Sequence, residues 1–112
     1  MPKYLIEASY SNQGVIGLTD EGGTARRAEV DKLITSSGGT LESFYFAFGD
    51  ADLYLICELP SNEVAAAIAL SVGQSGYTKN IRTVVLLTPE QVDDAANIAP
   101  LYRPPGAFRS DA

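Results

Sequence analysis

The stretch Leu41-Glu42-Ser43-Phe44-Tyr45-Phe46-Ala47-Phe48-Gly49-Asp50-Ala51-Asp52-Leu53-Tyr54-Leu55-Ile56-Cys57-Glu58-Leu59 decides the fold. Two runs rich in aromatic and aliphatic residues, Thr40 to Phe48 and Asp52 to Leu59, are separated by Gly49, Asp50 and Ala51, and that spacing predicts a β-hairpin. In the second run Leu53, Leu55, Cys57 and Leu59 fall on one face and Tyr54 and Ile56 on the other. In the first, Phe44, Phe46 and Phe48 lie opposite Leu41, Tyr45 and Ala47. Both faces are therefore substantially apolar. A strand wetted on one side alternates apolar with polar residues, so this hairpin is expected in a sheet covered on both sides.

Upstream, Tyr4 to Tyr10 alternates as a strand, with Tyr4, Ile6, Ala8 and Tyr10 on one face and Leu5, Glu7 and Ser9 on the other. Gln13 to Ser36 reads as helix broken at Gly22 and Gly23, with Thr24 as cap of the second piece and Ala28, Leu33 and Ile34 as its buried positions; Gly38 and Gly39 stop it. Downstream, Pro60 ends the hairpin, Ser61 caps a helix from Asn62 to about Val72 that Gly73 ends, and Ile81 to Leu87 is the last strand. Thr88, Pro89 and Gln91 supply a cap, a proline at the first helical position and a capping-box partner for a short helix to about Asn97. Tyr102-Arg103-Pro104-Pro105-Gly106 predicts an extended arm.

Residues 1–99 thus read as one α+β domain of order strand, helix, strand, strand, helix, strand, plus the terminal helix, with 100–112 as its extended arm. Right-handed crossovers fold that order into a ferredoxin-like βαββαβ unit: a four-stranded antiparallel sheet with both main helices on one face. The second apolar face then calls for the sheet of another copy, in a homodimer or a higher homo-oligomer.

Composition narrows the function by exclusion. The 112 residues carry a formal net charge of −6, and the longest basic feature is the pair Arg26 and Arg27 without interleaved aromatics, so nucleic acid is not an expected partner. No apolar run approaches the ~20 residues that span a bilayer, and the first residues lack the basic and apolar regions of a signal peptide, so a cytoplasmic location without membrane association is expected. Histidine is absent and Cys57 is the one cysteine, which removes the usual base near neutral pH and the usual metal and haem ligands; no cofactor and no metal are expected.

The hairpin with its tip Phe48-Gly49-Asp50-Ala51-Asp52, together with Glu21-Gly22-Gly23-Thr24-Ala25-Arg26-Arg27, makes the chain resemble the GYD domain family over nearly its whole length. That family is similar to the dimeric α+β barrel proteins, in which two ferredoxin-like sheets pack face to face. The resemblance implies a fold and a self-association, and no activity. The family's hairpin motif of a glycine, a variable residue, a tyrosine and an aspartate carries over as Gly49 and Asp52; Ala51 stands at the tyrosine position, so no role of that hydroxyl is implied. The same spacing is similar to the hairpin in effector-binding domains of leucine-responsive regulators, where small molecules bind between subunits.

Three groups of residues are candidates for a site. At the hairpin, Gly49 in a left-handed backbone and Asp50 or Asp52 bonded to nearby amides are ordinary turn chemistry, and ligand contact is the alternative. On the face that would meet the second sheet stand Glu7, Ser9, Tyr54, Glu58 and Arg82, which either share an interface cavity, with Arg82 holding an anion beside a desolvated glutamate, or pair structurally across the interface. Gly22 to Arg27 either cradles an anion with Arg26 and Arg27 or kinks the first helix over the sheet. Cys57, at the parity of Leu55 and Leu59, reads as buried filler that resists thiol reagents.

The expected function is an oligomeric domain that binds a small ligand between subunit sheets. A histidine-free isomerase or cofactor-independent oxygenase of the barrel type, and a structural assembly protein, are the alternatives.

Overall fold

Along Leu53–Glu58 every odd-numbered residue is buried and every even-numbered one only partly so, and the same alternation runs along Lys3–Tyr10 from Tyr4 to Ala8. The computed structural model describes residues 1–107, in which these two segments lie side by side at the centre of one four-stranded sheet. The elements are β1 (Lys3–Tyr10), α1 (Asn12–Glu21), α2 (Gly23–Ser36), β2 (Thr40–Phe46), β3 (Leu53–Glu58), α3 (Asn62–Gly73), β4 (Thr78–Leu86) and α4 (Pro89–Ala96). The strand order is β2-β3-β1-β4 with every neighbouring pair antiparallel, the arrangement of a ferredoxin-like βαββαβ unit.

Capping explains where the helices begin. The Ser11 side chain accepts the Gly14 N–H at 3.1 Å, Ser61 accepts from Val64 N–H at 3.3 Å, and Thr88 and Gln91 form a full capping box ahead of α4. Pro60 and Ser61 therefore stop β3 and start α3 as the residue types require. Thr24 is not a cap: it lies inside α2, whose N-cap is Gly22, with φ of +91° and no side-chain hydrogen bond. The Gly22 N–H closes α1 by donating to Leu18 O at 2.8 Å, and its own carbonyl accepts from Arg26 N–H, so one residue in the left-handed region ends one helix and begins the next. Gly73 falls within α3 rather than after it, and Ala28 is exposed on α2.

The core lies between the sheet and the helices. Tyr4, Ile34, Cys57 and Leu59 are its most completely buried side chains, joined by Ile6, Leu53, Leu55, Phe44, Ala65 and Ile68. Tyr4 keeps its hydroxyl satisfied by donating to Asn62 Oδ1 at 2.6 Å, which ties the first turn of α3 to β1. Two bulges reset the register. Between Leu41 and Ser43 the edge strand β2 advances two residues while β3 advances one, so Leu41 and Phe44 both face the core, opposite Cys57 and Leu55. Simple parity puts Leu41 and Phe44 on opposite faces, and the bulge at Glu42 is what overturns it. The second lies in β4, where three residues pair against two of β1 and Asn80 takes φ of +54°. That bulge also lets β4 begin at Thr78, ahead of Ile81.

Beyond β4 the chain projects away from the sheet and the helices packed on it. All of α4 and the residues that follow to Gly106 are exposed, and the radius of gyration is 18.7 Å where a compact chain of this size has about 13 Å. The segment 101–104 has no regular structure, and Gly106, at φ of +76°, turns the chain back so that Ala107 N–H meets Pro104 O. Residues 108–112 of the expected arm lie outside the described residues.

Candidate functional site

A cleft of about 690 Å³ opens between the helices on the covered side of the sheet. It exists because α2 rides over β2 at one margin of the sheet and α3 over β4 at the other, which leaves the central strands unroofed between them. Ile6 and Ala8 of β1 and Leu53 and Leu55 of β3 form its floor. Val30 and Leu33 of α2 make one wall, and Ile68 and Val72 of α3 the other. The helix break at Gly22 swings α1 across one end, where Gly14 sits tightly on the loop before β4: a methyl group there would lie 1.9 Å from Tyr77 O. Ser11 holds the same loop, donating to Gly76 O at 2.8 Å and, through its amide, to Tyr77 O.

That end of the cleft is polar. Tyr10 closes β1 with its ring buried, and Glu21 and Arg26 flank the helix break. Arg26 Nε stands 3.6 Å from Glu21 Oε2, an ion pair too long for a hydrogen bond. The Nε atom is shut off from solvent and has no hydrogen-bond partner among the described residues, although about a third of the Arg26 side chain remains accessible. Burial raises the Tyr10 phenol above its ordinary pKa; the Arg26 charge pulls it down, and Asp52 and Glu21 push it further up. Tyr10 is thus a neutral hydroxyl at physiological pH, able to donate and to accept. Its backbone is pinned by Asp52, whose carboxylate accepts the Tyr10 N–H at 2.8 Å.

The hairpin residues now have assigned tasks. Asp52 bonds an amide as turn chemistry requires, and its own N–H donates to Ala8 O while its carbonyl accepts from Ala47 N–H. Gly49 is not left-handed, and a methyl group added to it would meet nothing within 4 Å, so the expected conformational reason for glycine is absent. Phe48 is fully exposed at the hairpin tip rather than in β2, and Asp50 is exposed.

Of the residues expected on the open face, Glu7, Tyr54 and Arg82 lie side by side there. The strand register sets Tyr45, Tyr54, Glu7 and Arg82 in one row across all four strands, and Ser43, Ile56, Leu5 and Val84 in the next. Glu58 belongs to a third row, between Thr40 and Lys3, and Lys3 is ion-paired with Glu42. That bond, with further attraction from Glu42 and Glu58, raises the Lys3 pKa despite some desolvation. Ser9 is buried instead, its hydroxyl donating to Asp50 O at 3.4 Å under the hairpin tip. Of the arginine pair, Arg26 turns into the cleft and Arg27 is exposed.

Sequence reasoning missed the cleft, and with it Tyr10 and Glu21. The available signal was a tyrosine at core parity at the very end of a strand, with an arginine just past a double-glycine helix break. Cys57 matches its expectation: it is fully buried, and desolvation pushes its thiol up to about 11. Among the described residues no cluster of His, Cys, Asp and Glu side chains is placed to hold a metal, and no helix is long and apolar enough to cross a membrane.

A family model, described as the GYD domain, matches residues 4–96, from β1 to the end of α4. No curated protein and no solved structure matches the chain.

Proposed function

The chain belongs to the GYD domain family, and from that premise we propose that it is a self-associating domain that binds a small, largely apolar molecule in the cleft between α2 and α3. The supporting observation is the cleft itself: its volume falls in the ~300–1,000 Å³ range of ligand sites, its floor and walls are aliphatic, and a few polar groups converge at one end. No histidine or reactive thiol stands in it, so the reading is binding rather than catalysis.

Self-association is proposed through the open face of the sheet. Leu5, Ile56 and Val84 form a continuous apolar row across three strands, and Tyr45 is 71% exposed beside them. The face carries charges of both signs, Lys3 and Arg82 with Glu7 and Glu58, so a second copy laid against it in opposite orientation meets complementary groups despite the chain's net charge of −6.

Titration with a hydrophobic reporter dye, read by fluorescence and followed by displacement, tests the binding. Saturable binding weakened by Ile68→Trp, which fills the cleft, supports it; binding unaffected by that change overturns it. A second reading places a ligand group on the open face, favoured by the row Tyr54, Glu7, Arg82. Arg82→Ala weakens binding in that case and leaves cleft binding unchanged.

A further inference from the structure

The polar end of the cleft has a donor and acceptor pattern that selects among ligands. Arg26 Nε is a buried N–H that makes no hydrogen bond among the described residues, the Glu21 carboxylate standing 3.6 Å away at ion-pair distance. A buried donor left without a partner is costly, and a group that satisfies it recovers that cost on binding. Tyr10 offers a second donor on the same lining, held in place through the Asp52 bond to its amide. Tyr10 and Arg26 line the same cleft, on either side of the α1–α2 break in sequence.

The surrounding charge decides what kind of acceptor fits. Asp20, Glu21 and Glu29 line the cleft against the single guanidinium of Arg26, so a ligand bearing its own negative charge meets three carboxylates and one cation. A carboxylate or phosphate is therefore disfavoured relative to an uncharged oxygen. A cationic ligand would be drawn by the carboxylates but would leave the Nε donor facing another positive group.

We infer that the cleft takes an uncharged carbonyl compound with an apolar body, a ketone or quinone type of molecule, whose oxygen accepts from Arg26 Nε and the Tyr10 hydroxyl while its body lies on Ile6, Leu55, Val30 and Ile68. This rests on the cleft being a ligand site at all. The oxygen sits at the α1–α2 break, and the body runs toward the middle of the sheet.

Three naphthalene compounds of nearly one shape test it on the wild-type chain by calorimetric or fluorescence titration: acetylnaphthalene with a neutral carbonyl, ethylnaphthalene with none, and naphthoate with a charged one. Acetylnaphthalene is expected to bind roughly tenfold or more tightly than the other two, the worth of a hydrogen bond to a charged donor. Arg26→Met, which keeps the apolar stem, and Tyr10→Phe are each expected to weaken acetylnaphthalene binding severalfold more than ethylnaphthalene binding and so to shrink that preference. Arg26→Lys, which keeps the charge without the Nε donor, is expected to lower it as well. Equal affinity of the ketone and the hydrocarbon overturns the donor assignment while leaving the apolar cleft standing. Tighter binding of naphthoate overturns the ligand class. Failure of all three compounds to bind overturns the cleft reading itself.

Discussion

On one face of the sheet Tyr4, Cys57 and Leu59 are sealed beneath helices; on the other, at alternate positions of the same strands, Leu5, Ile56 and Val84 stand half-exposed in rows with Glu7, Tyr54 and Arg82. The covered face is aliphatic and aromatic, along the floor of the cleft as well as beneath the helices, and polar groups gather at the end that the α1–α2 break crosses. The open face mixes an apolar row with charged ones. The difference teaches that, under the proposed function, the two faces suit different kinds of partner. One is completed within the chain, apart from a gap suited to a small molecule; the other has the mixed apolar and charged character of a surface that meets another protein.

The sharpest way to break this comparison is to truncate one side chain on each face. Leu59→Ala is expected to cost roughly 3 kcal/mol in denaturant unfolding, as a fully buried leucine does, at any protein concentration. Leu5→Ala is expected to cost less in dilute protein and more as concentration rises, because in the proposed dimer its burial depends on a second copy. A cost independent of concentration would remove the proposed interface.

Alkaline titration probes the covered face next. The Cys57 pKa is raised from 9.0 to about 11 in the folded chain, so below pH 9 both states hold the proton and the group contributes no slope. Between pH 9 and 11 the unfolded chain alone loses it, and stability falls by up to about 1.4 kcal/mol per pH unit, or roughly 2–3 kcal/mol in all, before levelling off. Cys57→Ala is expected to flatten that part of the profile relative to the wild type. Identical slopes would show that solvent reaches the thiol.

Asp52→Ala strips the carboxylate from the Tyr10 amide and is expected to cost about 1–2 kcal/mol, and to weaken ligand binding by shifting Tyr10. Asp52→Asn, which retains an acceptor oxygen, is expected to recover most of the loss. The smallest effect belongs to Gly17 on the α1 side of the cleft, where a methyl group meets nothing within 4 Å. Gly17→Ala is expected to stabilise the chain by about 0.5–1 kcal/mol through helix propensity, measured as a rise in melting temperature. Destabilisation would mean that the cleft closes in solution.

Much of the fold was legible because its signals are local. The aliphatic and aromatic run from Asp52 to Leu59 marked a strand, Ser61 and Thr88 marked helix starts, and the order of elements fixed the topology. Leu41 was misplaced because a bulge is a relation between two strands and has no signature in either one. Gly49 was misread because turn preference permits a left-handed backbone without requiring one. The grouping of Glu7, Tyr54 and Arg82 followed from parity alone, whereas the cleft did not, since its width depends on where α2 and α3 settle along the sheet. Tyr10 and Arg26 are 16 positions apart, and only the turn at Gly22 brings them to one lining.

The two bulges have a consequence for how the protein behaves when concentrated. Each sits in an outermost strand, at Glu42 in β2 and around Asn80 in β4. A kinked margin offers no long, straight row of amides and carbonyls for another molecule's strand to zip onto, so end-on growth into fibrils is frustrated at both flanks. The chain can thus carry adhesive side chains on a broad surface without also being sticky along its rims.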